Sequence, residues 1–190
     1  MKANRTLILN TFLIVIFYSC TPENPTPNPT PTPTIAIGES YQGGKIAYIL
    51  QAGDIGYDVN VPHGLIAAPS DQGPTGWGCD GTLISGADGT AIGTGNNNTF
   101  DIMNGCNEVG IAARLCADLV LDGYSDWYLP SKDELNRLHQ NRVAIGGFTT
   151  YGYWSSSEVD NNNVWKQYFG DGFQTIANKG AGMLRAIRSF

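Results

Sequence analysis

Between positions 69 and 106 the chain is polar and glycine-rich, with eight glycines from Gly73 to Gly95. Glycine loses more backbone freedom on folding than any other residue and brings no side chain to a core, so such a stretch does not build long helices or strands. Turns and local hydrogen bonds must hold it. The framework therefore has to come from the segments on either side. Charged residues are only 15% of the chain and Gly is 24 of 190, against roughly 25% charge in an average soluble domain. Long helical bundles and coiled coils are excluded, and a strand-rich, turn-rich domain is expected.

The flanking segments carry that framework. Lys45 to Leu50 and Gly64 to Ala68 are apolar runs bounded by turn residues and read as strands. Ile111, Leu115 and Leu119, beside Ala112, Cys116 and Val120, form a helical stripe that Gly123 should stop. Pro130-Ser131-Lys132-Asp133-Glu134 opens a second helix with a capping box, Ser131 bonding the amide of Glu134 and Glu134 reaching back to that of Ser131, so that Leu135 and Leu138 face inward. Strands return at Tyr153 to Ser157, Val164 to Phe169 and Met183 to Arg188. Residues 35 to 190 thus read as one α+β domain with an antiparallel sheet, two helices and a long irregular loop region. It is large enough to bury about 70% of its unfolded surface. Trp154 and Trp165 are expected in the core on adjacent strands.

The chain begins with a basic stretch, Lys2 to Arg5, and an apolar run from Leu7 to Tyr18 that stops at Ser19-Cys20. The run is shorter than the ~20 residues of a membrane span, and a small residue before Cys fits a lipoprotein signal over residues 1 to 19, with Cys20 as the lipidated residue. Thr21 to Thr34 holds six of the chain's 10 prolines and no core-forming residue. At ~3.1 Å per residue a polyproline tether over residues 20 to 34 would lift a domain roughly 40 Å from the membrane. A bacterial envelope protein is expected, surface-exposed at the outer membrane and meeting that membrane only through its N-terminal lipid. The net charge of −6, more acidic still once the signal is removed, argues against nucleic acid as a partner.

Three blocks carry a further signal: Gly123-Tyr124-Ser125-Asp126-Trp127-Tyr128-Leu129-Pro130-Ser131, Tyr153-Trp154-Ser155-Ser156-Ser157-Glu158, and Arg185-Ala186-Ile187-Arg188-Ser189-Phe190. In order and spacing they resemble the Lcl C-terminal domain family, the C-terminal domain of bacterial collagen-like adhesins, with Gly43-Gly44-Lys45-Ile46 and His63 to Ala68 extending the likeness upstream. The resemblance implies a C-type lectin-like fold in which first and last strands pair, here Met183 to Phe190 with Lys45 to Leu50, and in which the irregular loops bind ligand. The founding adhesins bind sulfated glycosaminoglycans through cationic surface; this chain is acidic, and that ligand is not carried over. Phe190 should close the core, and Arg185 and Arg188 should be internal ion-pair partners of the acids.

No catalytic constellation is visible. His63 and His139 have no nucleophile in a recognisable motif, and the Ser155 to Ser157 run lacks a nucleophile elbow. Of Cys79, Cys106 and Cys116, the first two flank the glycine-rich stretch, and bridging them would stabilise the domain by a few kcal/mol; Cys106 with Cys116 is the rival pairing. Trp77, set among glycines, is the tryptophan expected to be exposed, and with the polar loop Asp160-Asn161-Asn162-Asn163 it is the candidate ligand-binding surface, aromatic face for a sugar ring and amides for its hydroxyls. No cofactor is expected, although calcium would find oxygen ligands at that loop or near Asp80 and Asp88. The function expected is a non-catalytic, lipid-anchored module binding glycan or an envelope protein, with a structural subunit of a surface assembly as the alternative and a carbohydrate-active enzyme behind it.

Overall fold

The computed structural model describes residues 35–190; the signal, lipidation and tether expectations, Cys20 among them, fall on residues 1–34 and lie outside the described residues. Among the described residues nine strands and four helices follow one another: β1 (Ser40–Tyr41), β2 (Gly44–Ile49), β3 (Gly64–Ala67), β4 (Pro74–Gly76), α1 (Gly95–Gly105), α2 (Ala112–Ala117), α3 (Lys132–Gln140), α4 (Arg142–Ile145), β5 (Gly152–Glu158), β6 (Asn163–Tyr168), β7 (Gln174–Asn178), β8 (Ala181–Met183) and β9 (Ile187–Ser189). They form two sheets, ordered β1-β2-β3-β9 and β4-β8-β5-β6-β7. Every pairing is antiparallel except β5 with β8, which meet in parallel at Tyr153 and Met183. The fold is α+β. No helix among the described residues is long and apolar enough to cross a membrane.

The expected final strand is in fact two. β8 belongs to the five-stranded sheet, and the chain crosses at Leu184 to Ala186 before β9 joins the four-stranded one. β9 pairs with β3, Ala67 opposite Ile187 and Leu65 opposite Ser189. It does not pair with the Lys45 to Leu50 strand, because β3 lies between them. The crossing is fixed by Arg185, which is fully buried. Its guanidinium donates to Asp71 Oδ1 (2.7 Å), Ala68 O (3.0 Å) and Gly147 O (2.5 Å) and lies 4.0 Å from the Phe148 ring centroid. A run that must turn from one sheet to the other here cannot remain a single strand.

The glycine-rich stretch is not wholly irregular. α1 forms from Gly95-Asn96-Asn97-Asn98-Thr99, residues with little intrinsic helix preference, and no side chain caps its start. Tertiary contacts supply what propensity does not. Asn98 Nδ2 donates to Gly89 O (2.6 Å) and Ser156 Oγ (3.2 Å), Thr99 Oγ1 accepts from the Leu129 amide (3.0 Å), and Ile102 is fully buried. Arg114 on α2 then closes the far end of α1 by donating to Met103 O and Cys106 O. The helix expected from Ile111 onward stops at Ala117, leaving Val120 65% exposed. Asp122 and Gly123, both at positive φ (50° and 81°), form the tight turn of a small hairpin in which Leu121 faces Tyr124. Cys116 stays within the apolar cluster as a free, buried thiol, and burial pushes its pKa far up.

Trp154 is 1% exposed and donates Nε1–H to Thr75 O (2.9 Å). Trp165, on the adjacent strand but the opposite face, is only half-buried, with the Lys132 ammonium 4.4 Å from its ring centroid. The expectation that both are core residues therefore holds for one. Trp154→Ala should cost about 3 to 5 kcal/mol and Trp165→Ala much less; equal losses of melting temperature in the two variants would contradict this placement.

Candidate functional site

The loops expected to present ligand-binding groups turn out to be pinned from within. Trp77 is fully buried, its Nε1–H bonded to Ser155 O at 2.8 Å and the Lys179 ammonium 4.8 Å from its ring centroid. Its glycine neighbours do not loosen the chain around it. They let the backbone pass close to the core: at Gly78, with φ +111°, a Cβ would press into Ile111. Trp77 therefore offers no stacking face, which corrects the expectation of exposure. Asp160 to Asn163 is the β5–β6 turn. Asp160 Oδ1 accepts from the Asn162 amide and from Asn163 Nδ2, both at 2.9 Å, while Asn161 O accepts from the Gly81 amide (2.9 Å) and Asn162 O from that of Lys179 (3.2 Å). The Asp160 bonds brace the turn from within, the Gly81 bond ties it to the glycine-rich stretch and the Lys179 bond to the end of β7. Among the described residues the one set of three Cys, His, Asp or Glu groups close enough to share an ion is Cys79, Cys106 and Glu108. Asp80, Asp88 and Asp160 do not converge on a calcium site. Cys79 and Cys106 are joined in a disulfide.

Two buried carboxylates complete this internal anchoring. Glu158 Oε1 meets Lys179 Nζ at 2.6 Å with both side chains essentially inaccessible, and Glu158 Oε2 accepts from the Ile84 amide (2.8 Å); Lys179 also donates to Thr82 O (2.7 Å) and Cys79 O (3.3 Å). At the start of α3, Glu134 Oε2 accepts from the Ser131 amide (2.7 Å) and Ser131 Oγ from the Glu134 amide (3.3 Å), completing the capping box. Glu134 Oε1 in addition accepts from the Gly93 amide at 2.9 Å, and Gly95 lies so close that a Cβ there would collide with the carboxylate. Burial raises the Glu134 pKa from 4.5 to about 7, opposed by the hydrogen bonds from the Ser131 and Gly93 amides. The folded state thus holds the proton where the unfolded chain releases it. The stability from this group is complete below pH 4.5 and is lost as the pH rises through 7, a change of about 3 kcal/mol. Melting temperature should accordingly fall between about pH 5 and 7.5, and Glu134→Gln, which cannot ionise, should show a flatter profile. An unchanged slope in that variant would assign the pH dependence elsewhere.

What the surface does offer lies on the five-stranded sheet. Tyr151 just before β5 and Tyr168 at the end of β6 are 68% and 42% exposed. They flank a groove of about 340 Å³ whose other walls include Pro74, Lys166, Ala181 and Met183. Two glycines keep it open. Gly152 pairs with Tyr168, where a Cβ would push against the Lys166 stem and the Tyr168 ring, and Gly182 lies flat on the Trp154 indole. Lys166 crosses the groove with its ammonium 4.2 Å from the Trp154 ring centroid and donating to Ala181 O at 2.8 Å. Burial lowers the Lys166 pKa, and one hydrogen bond leaves further N–H donors free to meet a ligand. Phe173, 61% exposed, follows in the β6–β7 turn, where its carbonyl accepts from the Tyr168 amide. A largely apolar groove with two exposed aromatic flanks and one cation can stack a flat apolar face and bond hydroxyls at its edge.

None of Tyr151, Tyr168 and Lys166 stood out in the sequence. The usable sign was Gly152 inside an otherwise aromatic strand start, Tyr151-Gly152-Tyr153-Trp154. A strand glycine among large residues often marks a close approach.

A family model for the Lcl C-terminal domain matches residues 85–188. The chain belongs to the Lcl C-terminal domain family. The match runs from the middle of the glycine-rich stretch to β9, so that the groove's β5, β6 and β8 residues fall within the family region while Pro74 lies upstream of it. No curated protein matches the chain.

Proposed function

We propose that this chain is a non-catalytic module of the bacterial cell envelope, held by a lipid on Cys20 at the outer membrane, whose C-type lectin-like domain binds glycan in the Tyr151–Tyr168 groove. The observation that carries the reading is the pair of exposed tyrosines on either side of an apolar groove kept open by Gly152 and Gly182, with the Lys166 ammonium at its edge. A pyranose presents one apolar face for stacking and hydroxyls at its rim, which is the complement of such a groove. Membership of the Lcl C-terminal domain family supports the surface role, and the Pro/Thr-rich segment after Cys20 supports the tether.

Binding of the full chain to immobilised glycans tests this. Tyr151→Ala and Tyr168→Ala should each weaken retention several-fold to about tenfold, the effect of ~0.5–1.5 kcal/mol of aromatic contact, with melting temperature unchanged. Should no polysaccharide be retained while an envelope protein is captured through the same groove, the alternative of a structural subunit in a surface assembly takes its place. Turnover of a bound glycan that disappears on changing one carboxylate would instead make it an enzyme.

A further inference from the structure

A second cleft, of different chemistry, lies between the turn at Gly53 to Ile55, the Ala91-Ile92 segment and the outer face of α3, with a volume of about 430 Å³. This is within the ~300–1,000 Å³ range of small-molecule sites. α3 lines it with Asp133, Asn136, Arg137 and Gln140, spaced so that all four fall on one helix face. Asp133 and Arg137, four residues apart with the acid nearer the N-terminus, have the arrangement that usually pairs. Yet no ion pair joins them among the described residues. Arg137 is drawn aside: its guanidinium lies 4.8 Å from the Tyr48 ring centroid, and Nη1 donates to Gln140 Oε1 at 3.0 Å. Tyr48 is itself fixed, donating its hydroxyl to Asp54 Oδ2 at 2.8 Å, and Asp54 Oδ2 also accepts from the Gln51 amide. The one ion-pair partner of Asp133 among the described residues is Lys132, at 4.0 Å. The cleft therefore presents an anion and a cation one helix turn apart, held from closing on each other by the Tyr48 support.

We propose that this cleft binds the zwitterionic head of a free α-amino acid. The ligand carboxylate meets the Arg137 fork, for which guanidinium is the best-matched side chain, and the ligand ammonium meets Asp133. The side-chain amide N–H groups of Asn136 and Gln140 stand on the same helix face to share the carboxylate. Ile55, 59% exposed, and buried Ile92 border the space left for the ligand side chain. A neutral sugar fits less well, because no aromatic ring is among the residues lining the cleft, and Tyr48 behind Arg137 is buried. A polyanion would face Asp54 as well as Asp133, and a simple cation would face Arg137. The site is separate from the tyrosine-flanked groove and does not depend on glycan binding there.

Calorimetric titration of the full chain with each proteinogenic L-amino acid, to about 10 mM, tests the proposal. At least one should bind saturably with Kd between about 1 μM and 1 mM. Its N-acetyl and its amide derivatives, each lacking one of the two charges, should bind at least about tenfold more weakly. Arg137→Gln and Asp133→Asn should each cost about the same factor at unchanged melting temperature, since neither side chain is in the core, whereas Tyr151→Ala should leave amino-acid binding intact. Failure of every amino acid to bind, equal binding of the blocked derivatives, or binding that survives both substitutions would overturn it. So would loss of binding in Tyr151→Ala, which would place the ligand in the other groove.

Discussion

A chain lacking Arg188, Ser189 and Phe190 should show no cooperative melting at temperatures where the intact protein is folded, and limited proteolysis should degrade it. Those residues do more than end a strand. Phe190 exchanges both backbone hydrogen bonds with Gly64 (3.0 and 3.2 Å), its carbonyl meets His63 Nδ1 at 3.1 Å, and its ring packs edge-on against Tyr41 at 5.2 Å between centroids. Arg188 is 7% exposed and clasps Asp126 with two bonds, Nε to Oδ1 at 2.7 Å and Nη2 to Oδ2 at 2.8 Å, while Nη1 donates to Gln42 Oε1 at 2.6 Å. The same guanidinium holds the Asp126 carboxyl below the usual carboxylate range. Removing the three residues strips β3 of its outer partner, uncovers Leu65 and Ile66, and disconnects the β1–β2 turn from the Asp126 loop. Most termini can be shortened at little cost, because they are not tied down. A truncated chain that kept its melting temperature would show that β9 is dispensable and that its pairing with β3 contributes little.

The second large effect is expected at Lys179. Replacing it with Met leaves Glu158 as a buried carboxylate whose remaining bond is the Ile84 amide; it takes the ammonium donor from Thr82 O and leaves Cys79 O with the Thr82 amide alone. Breaking a buried pair from one side costs about 3–5 kcal/mol, because the orphaned charge has lost its solvent as well as its partner. Adding Glu158→Gln should recover a large part of that loss, since no unpaired charge then remains. Chemical denaturation of the two single variants and the double variant measures the coupling directly. Additive losses would mean that Lys179 and Glu158 act independently and do not stabilise the fold as a pair.

Much of the framework was legible in the sequence because it rests on local signals. Ser131 and Glu134 announce a helix start by spacing alone, and the structure completes both halves of that cap. The strands beginning near Lys45, Gly64, Tyr153 and Val164 follow from runs of strand-forming residues. What was not legible depends on partners distant in sequence. α1 is a run of poor helix formers held by Gly89, Leu129 and Ser156. The break between β8 and β9 is set by Arg185 reaching Asp71 and the Gly146-Gly147 carbonyls. Trp77 illustrates the same limit for the site. Glycines on either side suggested a loose, exposed loop, but burial is decided by Lys179, Ser155 and Ile111, none of them its neighbours in the chain. The tyrosine-flanked groove was missed because its walls come from β5, β6 and β8 at once.

The buried thiol of Cys116 bears on how the right disulfide comes to persist. The three cysteines among the described residues permit three pairings, and exchange among them proceeds through attack by a thiolate on an existing sulfur–sulfur bond. Once α2 has docked, Cys116 lies buried in the apolar cluster and burial raises its pKa, so little of the attacking thiolate is available. Attack by Cys116 on the Cys79–Cys106 bridge is then favoured before that helix packs and suppressed after it, so the fold itself helps to keep one pairing among these three sulfurs.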